Sequence, residues 1–219
     1  MQTRQVDCLL LIMNCEKYRW KANLQKKTWL SKVTKIPFYH VLGNEHLHTD
    51  FVFHEEERTL TVKVKDDYNS LPAKVIAAYE AVYKTFQFKY LLKTDDDQVV
   101  NTDSPQQLLQ VIWNLADKKD SHYGGFVVNV EMPHISKYHQ VHPELPKDVI
   151  VQRTKYCSGR FYFLSSMAVQ DLIRKREMIA KEYFEDYAIG YYLSEELKEN
   201  ILMLETSKFF QDIPNNTTS

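Results

Sequence analysis

The sequence predicts an α/β domain: a mixed, mostly parallel β-sheet flanked by helices. Three observations carry this expectation. Strand-like apolar runs alternate four times with helix-like amphipathic segments in the first half of the chain, the order that a parallel sheet with crossover helices requires. The first run, Val6 to Met13, is bounded by polar residues and reads as a strand covered on both faces. The acidic triplet Asp95-Asp96-Asp97 follows the short apolar strand Lys89 to Lys93, so it falls at a carboxyl strand end, where open α/β sheets hold ligands.

Each element can be justified in order. After Val6 to Met13, the segment Glu16 to Leu30 sets Trp20, Leu24 and Trp29 among lysines as on one face of a helix. Pro37 to Leu42 is a second strand ending at Gly43, and Leu60 to Val64, with alternating side chains, a third. From Pro72 to Phe86, Val75, Ile76, Tyr79, Val82, Tyr83 and Phe86 keep helical spacing, with Ser70 as the expected cap and Pro72 in the first turn. Val99 and Val100 follow the triplet, and Asp103-Ser104-Pro105 opens a helix through Leu115. The second half is less regular. It reads as a strand from Gly124 to Val130, a polar loop from Glu131 to Lys147, short strands Val149 to Val151 and Phe161 to Leu164, helices Ser166 to Ile179 and Glu185 to Leu197, and a strand Ile201 to Leu204. No repeat or linker divides the chain, so one domain is expected over residues 1–212, with a polar tail at 213–219 that carries sequons at Asn215 and Asn216.

Composition excludes several classes. The chain has 219 residues, 28 basic and 29 acidic, for a net charge of −1, so it has no basic field to attract nucleic acid. Five glycines leave neither GxGxxG nor GxxxxGK, and GxSxG and HExxH are also missing, since His54-Glu55-Glu56-Glu57 lacks a second histidine. Cys8, Cys15 and Cys157 form no CxxC pair, which points to a reducing compartment without zinc or a disulfide framework. The first apolar run is too short to span a bilayer, so no membrane segment is expected here. The expected setting is cytoplasmic, or that of a domain cut from a longer protein.

Three adjacent carboxylates raise one another's pKa unless something positive offsets them. A divalent cation does so economically, and hard oxygen ligands suit Mn²⁺ or Mg²⁺, especially where phosphate oxygens complete the shell. The bland reading of such a triplet is a solvated turn; the apolar strand before it favours the metal.

The segment Tyr90-Leu91-Leu92-Lys93-Thr94-Asp95-Asp96-Asp97-Gln98-Val99-Val100-Asn101 resembles the "KTDDDVFVN" motif of the β-1,3-galactosyltransferase and β-1,3-N-acetylglucosaminyltransferase family. Further segments resemble that family in the same order: Lys26-Lys27-Thr28-Trp29, His40-Val41-Leu42-Gly43, Asp67-Tyr68-Asn69-Ser70-Leu71-Pro72-Ala73-Lys74, Tyr156-Cys157-Ser158-Gly159 with Tyr162 and Ser165, and Phe184-Glu185-Asp186-Tyr187-Ala188-Ile189-Gly190. The resemblance implies a GT-A fold, a UDP-sugar donor (UDP-galactose, UDP-N-acetylglucosamine or UDP-glucose), a glycan or other hydroxyl acceptor, Mn²⁺ and inversion at the anomeric carbon. It implies a metal site at Asp97 and Asp95, with Asp97 the direct ligand and Asp95 facing the ribose or a metal-bound water, and a supporting role for Asp96 and Lys93. Asp186 is the implied base for the acceptor hydroxyl, with Glu185 as helix cap. Asp67 and Lys74 match a stretch that borders the nucleotide, and Arg19 follows the first strand, where uracil or ribose would lie. Tyr138 and Tyr162 fall in expected loops, where a sugar face could stack.

The match has gaps. The family's histidine ligand downstream of the Glu-Asp pair has no counterpart, because all eight histidines lie between His40 and His142. Water, a residue beyond this stretch or the donor itself would fill that position, and His134, His139 and His142 form a local cluster that could substitute. Arg160 and Phe161 stand where the family has glycines, and the missing cysteine pairs and anchor make a Golgi-lumen setting the less expected one. Two rival functions fit the same residues: a GT-A nucleotidyltransferase acting on a nucleoside triphosphate, and a sugar-binding module that has lost catalysis.

Overall fold

The computed structural model describes residues 3–213; the sequons at Asn215 and Asn216 lie outside them. The central sheet has eight strands: β1 (Cys8–Met13), β2 (Phe38–Gly43), β3 (Phe51–His54), β4 (Thr59–Val62), β5 (Tyr90–Asp95), β7 (Tyr123–Val130), β8 (Thr154–Ser165) and β9 (Leu202–Met203). Two further strands, β6 (Gln98–Val100) and β10 (Phe210–Asp212), pair antiparallel beside it. Across the sheet the order is β9-β7-β8-β5-β1-β2-β4-β3. The β1, β2, β4 and β5 pairings are parallel, as is β9 on β7, whereas β8 runs antiparallel to both its neighbours and β3 to β4.

β1 buries all its residues because both faces are covered. Leu9 and Leu11 enter one core, with Tyr39, Val75, Tyr79 and Leu91, beneath α2 (Leu71–Thr85). Leu10 and Ile12 enter the other, with Leu30, Leu92, Leu109 and Phe163, beneath α3 (Pro105–Lys118). Truncating any one of these leucines to alanine is worth about 2–5 kcal/mol.

Local structure departs from expectation at identifiable points. The first helix spans only Arg19–Lys27 (α1), with 3₁₀ turns at Glu16–Tyr18 and Trp29–Lys32. Thr28 ends it: its backbone leaves helical geometry and its hydroxyl bonds back to the Leu24 carbonyl at 2.8 Å. Ser70 does stand at the N-cap of α2, but its side chain makes no capping bond. The expected helix 166–179 breaks at Lys175 into α4 (Ser166–Arg174) and α5 (Arg176–Ile179). The helix expected over 185–197 breaks before Ser194 into α6 (Glu185–Tyr192) and α7 (Glu195–Lys198). Most consequential is β8, twelve residues long, where the sequence suggests only a short strand. Its register on β7 shifts between Cys157 and Tyr162, and such a bulge redirects the strand. Among the described residues no helix is long and apolar enough to cross a membrane.

Candidate active site

Parallel pairing puts the carboxyl ends of β1 and β5 side by side, with Met13 opposite Asp95. β8 enters the sheet from that same edge, since its antiparallel register sets Phe161 opposite Thr94. Gly159, just before this point, therefore stands at the carboxyl edge. α6 packs onto β8 there because Gly190 has no side chain: a Cβ would lie 2.2 Å from the Tyr156 Cβ. This close approach brings Glu185 and Asp186 to Gly159.

Lys93 lies at the centre. Its ammonium, 1% exposed, donates to Asp95 Oδ1 at 2.7 Å, Glu185 Oε2 at 2.8 Å and the Gly159 carbonyl at 3.0 Å. Burial opposes its charge, but Asp95 and Glu185 outweigh burial and hold it protonated above the usual lysine range. Glu185 is not a helix cap. It is buried, and its other oxygen accepts from the Tyr162 hydroxyl, which meets the Tyr79 hydroxyl at 2.5 Å. Tyr162 is thus a core residue of β8, not a loop platform for sugar. Burial raises the Glu185 pKa against the pull of Lys93.

Asp186 is the partly exposed member of that acidic pair. Its Oδ2 accepts from the Gly159 N–H at 2.9 Å and its Oδ1 from the Tyr187 N–H at 2.8 Å. Burial raises its pKa, with Lys93 and the two N–H donors opposing, and those donors hold the carboxylate in one orientation. A Cβ on Gly159 would lie 3.4 Å from Asp95 Oδ2. Asp95 and Asp186 thus approach one glycine from opposite sides in the sequence.

The triplet is sorted by burial. Asp96 is buried and accepts from Asn14 Nδ2 at 2.9 Å and Lys21 Nζ at 3.2 Å, while burial pushes its pKa up to about 6. Asp95 is also pushed up to about 6, by burial first, against Lys93. Asp97 is partly exposed and accepts from Gln98 Nε2 at 2.8 Å on Oδ1. Among the described residues, Oδ2 of Asp95 and Oδ2 of Asp97 accept no hydrogen bond. No three His, Cys, Asp or Glu side chains among the described residues are grouped closely enough to hold an ion by themselves. In particular the histidine cluster does not assemble: His142 is stacked between Tyr68 at 4.1 Å and Tyr138 at 4.9 Å.

The remaining expected residues separate. Lys74 is buried, its ammonium donating to the Asn14 carbonyl at 2.7 Å and Asp66 Oδ1 at 2.9 Å. Asp67 accepts from the Ser70 N–H at 2.8 Å and so shapes the entry to α2. Arg19 is half-exposed, 3.3 Å from Glu57, and lines a cleft of about 410 Å³ between α1 and the β2–β4 side of the sheet, with Asn14, Asn23, Lys26 and His40. Behind that cleft, Asn14 Oδ1 and His40 Nδ1 are buried without partners among the described residues. Lys21 carries no local signal because its partner Asp96 is 75 positions away, and Asp66 matters through Glu16, 50 positions away, as well as through Gly43 and Lys74. The clue to Glu185 was Lys93, a charge inside an apolar strand, which requires a buried partner.

An edge-mounted set of carboxylates on this sheet defines a GT-A-like α/β protein. The sequence profile of the Galactosyltransferase family matches residues 21–199, and the chain belongs to that family. It is similar to UDP-GalNAc:beta-1,3-N-acetylgalactosaminyltransferase 2 of Xenopus laevis, 26% identical over 152 residues, which are 66% of this chain and 29% of the relative. It is also similar to UDP-GalNAc:beta-1,3-N-acetylgalactosaminyltransferase 1 of Rattus norvegicus, 26% identical over 195 residues, 85% of this chain and 57% of the relative. The chain thus spans less than two thirds of the length of either relative. Among solved structures, a glycosyltransferase involved in the glycosylation of the major capsid of PBCV-1 shares the fold with a TM-score of 0.54 at 11% identity, over 92% of this chain and 83% of that one.

Proposed function

We propose that this chain is the catalytic domain of a metal-dependent, inverting glycosyltransferase that moves a sugar from a UDP-sugar to an acceptor hydroxyl. The observation that supports the reading is the approach of Asp95 and Asp186 to Gly159, which sets on one edge one carboxylate suited to a cation and one suited to a proton. The free Oδ2 atoms of Asp95 and Asp97 are hard donors that fit Mn²⁺ or Mg²⁺, with phosphate oxygens and water as the other ligands. When bound, such a cation supplies the positive charge that stabilises UDP as a leaving group.

The chain's own residues do the rest. Lys93 and the Lys21–Asn14 pair fix Asp95 and Asp96 in the turn. Asp186 takes the acceptor proton, its carboxylate aimed by the two N–H donors. Uracil and ribose occupy the cleft beside Arg19, which Asn14, Asn23 and His40 also line. The names of the relatives put UDP-GalNAc among the donors to screen, alongside UDP-galactose, UDP-N-acetylglucosamine and UDP-glucose. Calorimetry with UDP and Mn²⁺ tests the site. Metal-dependent binding should be lost in Asp97→Ala with an unchanged unfolding midpoint; undiminished affinity in that variant rejects the metal assignment.

A further inference from the structure

Arg160 follows Gly159 where β8 meets the edge that holds Asp95. Its carbonyl accepts from the Thr94 hydroxyl at 2.6 Å, which fixes where its side chain begins. The guanidinium reaches β10, donating to Asp212 Oδ1 at 3.1 Å, Asp212 Oδ2 at 3.4 Å and the Phe210 carbonyl at 3.4 Å. Asp212 in turn shares one amide with Asp97, since Gln98 Nε2 lies 2.8 Å from an oxygen of each. The Ile213 N–H closes the arrangement on the Asp97 carbonyl at 2.6 Å.

Charge at this edge is unbalanced. Lys93 is spent on Asp95 and Glu185, and Lys21 on Asp96. Asp97 and Asp212 add two more carboxylates, and a nucleoside diphosphate would add further negative charge that one divalent cation offsets only in part. Arg160 is a cation that reaches the Asp97 side through Asp212, its side chain 30% exposed. Its planar fork matches a pair of phosphate oxygens better than an ammonium would.

We propose that Arg160 binds the diphosphate of the donor, and that Asp212 holds the guanidinium ready until the phosphate oxygens replace it. The inference rests on the UDP-sugar reading above. It gives the position where the family has glycine a function: a fixed positive charge beside the oxygen on which negative charge accumulates as the sugar leaves.

Titrations of UDP, uridine and inorganic pyrophosphate into wild type, Arg160→Ala, Arg160→Lys and Asp212→Asn, at fixed Mn²⁺, test it. Arg160→Ala should weaken UDP and pyrophosphate roughly 10- to 100-fold, the worth of charged hydrogen bonds, and leave uridine unchanged. Arg160→Lys should recover part of the loss, and Asp212→Asn should bind UDP as tightly as wild type or more tightly. Equal UDP affinity in wild type and Arg160→Ala overturns the contact while the donor reading stands. A loss in Asp212→Asn equal to that in Arg160→Ala also overturns it, by assigning the effect to the broken Arg160–Asp212 pair. Arg160-dependent pyrophosphate binding without UDP binding rejects the donor reading and supports an oligophosphate contact at Arg160. A wild type that binds neither rejects both.

Discussion

The turn Asp95 to Asp97 and the pair Glu185 and Asp186 solve the same electrostatic problem in the same way. Each holds adjacent carboxylates, and each buries one against a lysine while leaving another partly exposed. Asp96 is bound by Lys21 and Asn14, and Glu185 by Lys93 and Tyr162. The difference lies in depth. The Lys93–Glu185 pair is almost fully enclosed, with side chains 1% and 4% exposed, whereas Lys21 and Asp96 retain 12% and 11%. Removing one partner from an enclosed pair leaves an uncompensated charge; at the rim, water takes over. Burial therefore decides which carboxylate is locked in an ion pair and which stays partly exposed.

The sharpest break in this division should come from Asp186→Asn. If the exposed partner is the base, transfer falls by roughly 10²–10⁴-fold while UDP affinity barely moves. The product formed from an α-linked donor, followed by NMR, should be the β-anomer. Near-full transfer by the variant, or retention of configuration, would return Asp186 to a purely structural role.

Next in size is the enclosed pair. Lys93→Met should destabilise the fold by about 3–5 kcal/mol, measured by urea unfolding, and Lys21→Met by clearly less. Equal losses would erase the contrast in depth.

His40 provides a buried group without a countercharge. Burial, reinforced by Lys26, pushes its pKa down to about 3, so the fold favours the neutral ring. The stabilisation is full above the ordinary histidine pKa of about 6.5 and is lost as pH falls toward 3, by up to about 1.4 kcal/mol per pH unit. Urea midpoints between pH 7 and 4 should show this slope in wild type and a shallower one in His40→Gln.

The smallest effect belongs to Asp67. Its bond to the Ser70 N–H predicts a loss of about 1 kcal/mol in Asp67→Ala, as for a helix-entry cap, with UDP affinity unchanged. A strong loss of UDP binding would instead put Asp67 against the nucleotide.

The strand-helix order, the two-faced burial of β1 and the place of Asp95–Asp97 at a strand end were legible in the residues, because apolar periodicity and strand-terminal charge are local signals. The family motifs likewise lie in short contiguous segments. Other features depended on partners remote in the chain. The length and direction of β8 follow from pairing with β5 and β7 on both sides, which no local pattern records. Glu185 reads as a helix cap until Lys93, 92 residues away, is seen to bind it. Tyr162, on the expected strand Phe161 to Leu164, reads as open to a sugar until the sheet closes over it, and Asp212 carries no signal until β10 returns to lie along β6. Local sequence sets which segments are strands or helices because burial periodicity is a property of neighbours. Which carboxylate is buried, and against which cation, is decided only when distant segments exclude water together.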